Sequence, residues 1–267
     1  MLSALKIEWM KVKNYRTFWI LLAITIISIP GISYMFYNIL DNSFPKDKNG
    51  QAFLLGSPFA FPDVWQTVAW NGGMAFIIPA LLIITLTTNE FTFKTHRQNV
   101  IDGWSRRQFI TVKLVEVLLL SLFCTLIVIL TALGFGLIGN RPGAGITMIQ
   151  DSRFAGFYFI EILSYSLIAF LIAMLIKRAG LSIGVFFIYM LVEQIIVGIA
   201  RGKYKYQGVN YLPEEVTDRL IPVPYAKALL AKDPTWQHLI PSLLIVAALY
   251  ICLYCFITMW RFLKSDI

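Results

Sequence analysis

Six apolar runs, each near the ~20 residues that cross a hydrocarbon layer of about 30 Å, constrain this 267-residue chain more than any other feature. They cover residues 18–37, 68–86, 112–138, 157–176, 181–199 and 239–260. Runs of this length read as membrane-crossing helices, so the expected fold is an all-α polytopic membrane protein in one transmembrane domain, 1–267. Composition agrees. Hydrophobic residues make up 58% of the chain and charged residues 14%, against about 25% charged in an average soluble domain. Mean hydropathy is +0.69. A soluble enzyme, a disordered chain and a secreted disulfide scaffold are all excluded by these values.

Local features refine the spans. Pro30-Gly31 predicts a kink in the first span. Trp65 and Trp70 suit an aromatic belt where the second span begins. The third span is long enough to tilt. Lys and Arg then set orientation. With the N-terminus inside, thirteen of them fall on the cytoplasmic side. The two shorter outer loops hold four, and the long segment 200–238 holds six. Long loops weigh less in this rule, so both termini are expected to be cytoplasmic. The net charge of +8 therefore reads as topology and not as nucleic-acid binding.

The first sixteen residues are not expected to be a cleaved signal, because Glu8 and Trp9 interrupt the basic region. Leu2, Leu5, Trp9 and Val12 recur on one helical face, with Lys6, Glu8 and Lys13 mostly off it. Residues 1–16 thus predict an amphipathic helix in the cytoplasmic interface. At the other side, Pro213, Pro222, Pro224 and Pro234 punctuate the outer segment. Short helices fit between them, at Glu214–Leu220 and Tyr225–Ala231.

Motifs of chemistry are sparse. The chain has no G-x-x-x-x-G-K-[ST] to cradle a nucleotide's phosphates and no H-E-x-x-H. Gly180-Leu-Ser182-Ile-Gly184 matches G-x-S-x-G, but at the start of an apolar helix and with no histidine in any span. Cys124, Cys252 and Cys255 sit in apolar runs, and two histidines cannot complete a metal cluster. Catalytic and metal sites are therefore expected to be absent. Two acids do lie inside spans, Glu161 in the fourth and Glu193, beside Gln194, in the fifth. A charge at mid-membrane costs at least about 2.5–3.5 kcal/mol, so such groups face a partner or a wet cavity. Glu161 stands near the outer boundary, where it reaches water by snorkelling. Glu193 is deeper and either lines a wet path or subunit interface or holds helices together through hydrogen bonds.

The loop 87–111 is dense in charge yet carries Phe91, Phe93, Val100, Ile101, Trp104 and Phe109. That mixture predicts a helix–turn–helix whose tip docks on a cytoplasmic partner. Asp102-Gly103 supplies the turn, and Ser105 caps the helix that continues into the third span.

An interfacial first helix, six spans with both ends inside, and this loop together resemble the permease subunit of an ABC-2 type transporter, of type V exporter-like architecture. Glu90 matches the glutamate that ends the second span in that family. Lys94-Thr95 stands at its Gly-Thr step, with lysine in place of glycine. Ser105-Arg106 matches its Ser-Arg step, preceded here by Gly103-Trp104 where proline is common. The Thr-His-Arg-Gln-Asn run and the Trp-Gln-Thr-Val-Ala-Trp start of span two look like the branch common among Bacteroidetes permeases.

The resemblance implies a chain without ATPase activity or cofactor of its own, with ATP and Mg on a separate ABC ATPase partner. It implies a second permease copy or paralogue and ATP-driven export. The loop becomes a coupling helix, for which Glu90, Thr95, Arg97, Asp102, Ser105, Arg106 and Arg107 are the candidate residues. Segment 200–238 caps the pathway from outside. Two other readings stand beside it: a membrane scaffold of a secretion or motility machine using the same fold, and an intramembrane enzyme.

Overall fold

A computed structural model describes residues 2–43, 58–95, 98, 103–139, 148–226 and 235–264. Among these residues the ordered elements are helices. They are α1 (Leu2–Val12), α2 (Arg16–Ser43), α3 (Val64–Gly73), α4 (Ile77–Thr92), α5 (Arg106–Gly139), α6 (Arg153–Ile176), α7 (Ala179–Gly202), a four-residue α8 (Glu215–Asp218) and α9 (Thr235–Lys264). Short 3-10 turns occupy Gln207–Tyr211 and Pro224–Ala226. Among the described residues five helices are long and apolar enough to cross a membrane, and the bent pair of α3 and α4 passes the same test of length and composition when taken together.

Pro30 lies inside the continuous α2 helix. The α3 and α4 helices meet at 45°. Gly72 and Gly73 end α3 with the weakest of the non-proline helix formers. Pro79 then sits in the first turn of α4, where a missing N–H costs least. Its ring also bars a continuous helix back to Ala75. The intervening residues close with tighter bonds, from Ala75 N–H to Gly72 O and from Phe76 N–H to Gly73 O.

The axis of the bundle is α6. Its most apolar window is 61% buried, against 17% for α2 and α9 and 22% for α7. It packs on α3, α4, α5, α7, α8 and α9. Two apolar clusters stack along it. One gathers Val68, Val128, Tyr158, Val216 and Leu243 beside α3. The other gathers Ile84, Ile110, Phe170, Phe186 and Phe262 beside α4.

Inside a bilayer, apolar contact alone does not drive helices together; close packing and polar contacts do. The interior is accordingly hydroxyl-rich. Buried Thr25, Thr67, Thr88, Ser121 and Thr125 each return a hydrogen bond to a carbonyl four residues back, so none is left unsatisfied. Glycines admit neighbours closely. A Cβ on Gly72 would stand 3.0 Å from both Tyr158 and Val128, and one on Gly136 would strike the Phe61 ring. Gly136 is thus used within the chain, while Gly134 faces open space. Outward faces are apolar, as in the row Ile245, Leu249, Leu253, Phe256 and Trp260 on α9.

Candidate functional site

Two polar nodes lie at opposite ends of the bundle. The first joins α1, α4 and α5. Lys113, seven residues or about 10 Å into α5, is 4% exposed. Its ammonium donates to Glu8 Oε2 at 2.6 Å, Glu90 Oε1 at 3.0 Å and Glu116 Oε2 at 3.2 Å. Lys11 bridges the same acids, at 2.9 Å from Glu8 Oε1 and 3.4 Å from Glu90 Oε1. Thr95, just beyond α4, donates its hydroxyl to Glu90 Oε2. Phe109 lies one turn before Lys113, with the ammonium 5.8 Å from its ring centre.

Around this node the loop's two feet are fixed. Ser105 Oγ accepts from Gln108 N–H at 3.1 Å, the N-cap expected for α5. Arg106 Nη1 donates to Leu263 O at 3.3 Å, and Phe109 stacks on Phe262 at 5.1 Å, tying α5 to the end of α9. Lys177, in the turn between α6 and α7, stands 5.2 Å over the Phe91 ring. Lys94 takes a left-handed conformation, φ 56°. Glycine adopts that conformation without cost. The lysine at this step is therefore strained where glycine is not. Gly103 turns the other foot at φ 96°. Phe93 is exposed, as are Arg106 and Arg107.

The second node joins α3, α6 and α7 to segment 203–226. Glu193 is 5% exposed, and its Oε1 accepts from the backbone N–H of Glu214 at 2.7 Å and of Glu215 at 3.1 Å. A carboxylate there complements the N-terminus of α8. Arg201 pairs with Glu215 from the end of α7. Tyr165 donates to Asp218 Oδ1 at 2.5 Å. Asn71 donates to Ser33 Oγ at 3.4 Å and accepts from Tyr225 at 2.9 Å, which joins α2 and α3 to the turn after α8. Burial pushes the Glu214 carboxyl up to about 9, with Glu193 and Asp218 adding to the effect. Burial likewise pushes Asp218 up to about 7, opposed by the Tyr165 hydrogen bond and reinforced by Glu215 and Glu193.

The model of a family described as ABC-2 family transporter protein matches residues 4–193. The chain belongs to this family. No curated protein matches the chain. The match spans α1 through most of α7 and so contains the whole loop-end node.

The ABC-2 chain brings some of the expected site residues together and separates others. Glu90, Thr95, Ser105 and Arg106 converge on the loop's feet, while Arg107 points outward. Arg97 and Asp102 lie outside the described residues. Glu193 accepts hydrogen bonds from the segment that follows α7, and Gln194 beside it is exposed. Glu161 does not snorkel. It is 6% exposed and turned inward against the α3–α4 bend. Ser182 donates to Arg178 O at 2.8 Å, so its proton serves its own helix turn.

Glu8, Lys11, Lys113 and Glu116 are site residues that the sequence pattern does not single out. Periodicity puts Glu8 off the apolar face of α1, yet it is 2% exposed while Trp9 is 53% exposed. A partial signal exists: Lys113 and Glu116 stand three apart within the third apolar run, and a lysine inside a span requires an acid.

Replacing Lys113 by Met leaves buried carboxylates facing one another. Removing one partner of a buried pair costs about 3–5 kcal/mol. Lys113→Met is therefore expected to lower the melting temperature sharply in a detergent thermal-shift assay. Glu116→Gln leaves two acids against two lysines and is expected to melt near wild type. Equal effects would contradict the node.

The second node predicts a pH effect. A carboxyl whose folded value lies above its ordinary 4.5 holds its proton better when folded. Stability falls as pH rises from that ordinary value to the folded value. Glu214→Gln removes this contribution. The variant and wild type are expected to melt alike near pH 4.5, with the variant increasingly more stable toward pH 9, by thermal shift across that range.

Proposed function

We propose that this ABC-2 chain is the permease subunit of an ATP-driven exporter, working with a separate ABC ATPase and a second permease copy or paralogue. The observation that carries the reading is the loop-end node. It fixes both feet of the 93–105 loop to α1 and α5 while Phe93, Arg106 and Arg107 remain exposed. An exposed aromatic and two guanidiniums on a rigid base suit a protein partner that pushes on the loop. Glu90 is the pin, through Lys113, Lys11 and Thr95. Arg97 and Asp102 belong to the same proposed contact by their place in the sequence.

Orientation follows from charge. The loop end carries Lys6, Lys13, Lys94, Arg106, Arg107, Lys177, Arg178, Arg261 and Lys264, so that end faces the cytoplasm of a bacterial inner membrane. Segment 203–226 then caps the outer side. The sparse burial of α2, α7 and α9, with Gln194 exposed amid apolar residues of α7, supports a second permease subunit against one of these faces. Nucleotide closure of the ATPase moves the loop. The tied helices α1, α4 and α5 carry that movement into the membrane, shifting the population between two states of the pathway. ATP and Mg stay on the partner, and this chain performs no chemistry.

A tagged chain, gently solubilised from native membranes, is expected to bring down a P-loop ATPase. Arg106→Glu with Arg107→Glu is expected to lower coupled ATPase activity several-fold while membrane insertion is unchanged, since reversed rim charges weaken a partner without unfolding the chain. A stable preparation with no ATPase, or full coupling in the variant, would refute the proposal.

A further inference from the structure

A cavity of about 210 Å³ opens at the α3–α4 bend. Its walls are aromatic and acidic: Trp70, Phe76, Tyr165, Glu161 and Asp218, with Met74 as the exposed residue at the mouth. None of the described lining residues is basic. Glu161 is the decisive group. It stands eight residues, about 12 Å, into α6. It is 94% buried and lines the cavity. It has neither a hydrogen bond nor an ion pair among the described residues. The charge acting on it is Asp218, of the same sign. The loop-end node shows how this chain treats buried acids elsewhere, with lysines supplied from two helices.

The backbone is also shaped around this carboxyl. A Cβ on residue 73 would lie 2.5 Å from Glu161 Oε1, so the acid reaches the bend because Gly73 has no side chain. Broken helices at membrane depth are tolerated where they line a cavity. The Phe76 and Tyr165 rings stack at 4.4 Å, and Trp70 is held edge-on against Tyr225 at 5.5 Å, so the aromatic walls are fixed in place.

We propose that this cavity binds a small organic ammonium ion, between the Glu161 and Asp218 carboxyls and the faces of Trp70, Phe76 and Tyr165. Aromatic faces attract such cations, most of all when both are desolvated, and a buried acid without a protein cation is satisfied by a ligand that brings one. A strongly hydrated metal ion is a poorer occupant, because it needs about six or more oxygen ligands and the wall offers few beyond the two carboxyls and the Tyr165 hydroxyl. The ammonium arrives either as a soluble amine or as a lipid headgroup; the recognition chemistry is the same. The inference deepens the permease reading by naming a cargo class. It rests on that reading only for the steps after binding, since binding is measured without ATPase or nucleotide.

The test is calorimetry on the full chain in phosphatidylglycerol nanodiscs, titrated with choline chloride, with potassium chloride, and with choline's uncharged tert-butyl isostere. Saturable binding is expected for choline alone. Glu161→Gln is expected to weaken it at least about tenfold. Trp70→Leu, which leaves both acids intact, is expected to weaken it as well and serves if Glu161→Gln does not fold. Repeating the titration in discs containing phosphatidylethanolamine separates the sources. Weaker choline binding there assigns the site to a lipid headgroup, and unchanged binding assigns it to a soluble amine. No saturable choline binding, equal binding of the isostere, or wild-type affinity in both variants would overturn the proposal, whatever the outcome of the ATPase pull-down.

Discussion

The ammonium of Lys113 organises the loop end of this protein. It lies a full two turns inside an apolar helix and is 4% exposed. Water does not compensate a charge so placed, and the free-energy cost of leaving it alone is several kcal/mol. Acids must therefore come to it, and they come from two other helices as well as its own. Glu8 brings α1, Glu90 brings the end of α4, and Glu116 comes from the next turn of α5. The consequence is mechanical. An N-terminal helix of eleven residues, too short to be stable alone, is held against the bundle by charge. The first foot of the loop is held by this group of atoms, and the second by the Ser105 cap and the contacts of Arg106 and Phe109 with the end of α9.

At the opposite end, backbone N–H groups and a tyrosine hydroxyl stand beside arginine as partners of the acids. Glu193 is met by two N–H groups at the start of α8, and Tyr165 donates its hydroxyl to Asp218. Glu161 faces a cavity. Glu214 and Asp218 are pushed up by burial, to about 9 and about 7, so this end feels pH directly.

Much of the architecture was legible because it follows from length and periodicity. Long apolar runs are helices in a bilayer, and Ser105 before the third run is a cap in any context. The loop's family steps were legible from residue order, and the φ of Lys94 gives a physical reason for the glycine common there. What was hidden depends on tertiary neighbours. Glu8 reads as surface on a lone amphipathic helix, and becomes core once Lys113, 105 residues away, is opposite it. Glu161 reads as close to water by position along its helix. It is enclosed because α3 and segment 203–226 cover that end. The break at residues 74–76 was hidden as well: Gly72-Gly73 followed by Pro79 leaves no continuous path for the hydrogen bonds.

The central claim is that α1 and the feet of the loop move as one body. Spin labels at Met10 on α1 and Arg107 at the start of α5, both exposed, report it directly through electron–electron distance measurements on the complex with and without nucleotide. A narrow distance distribution that does not change with nucleotide in the wild type, and broadens in Lys113→Met, is the predicted result. A wild-type distance that shifts when nucleotide binds, or a distribution that Lys113→Met leaves as narrow as before, would contradict it.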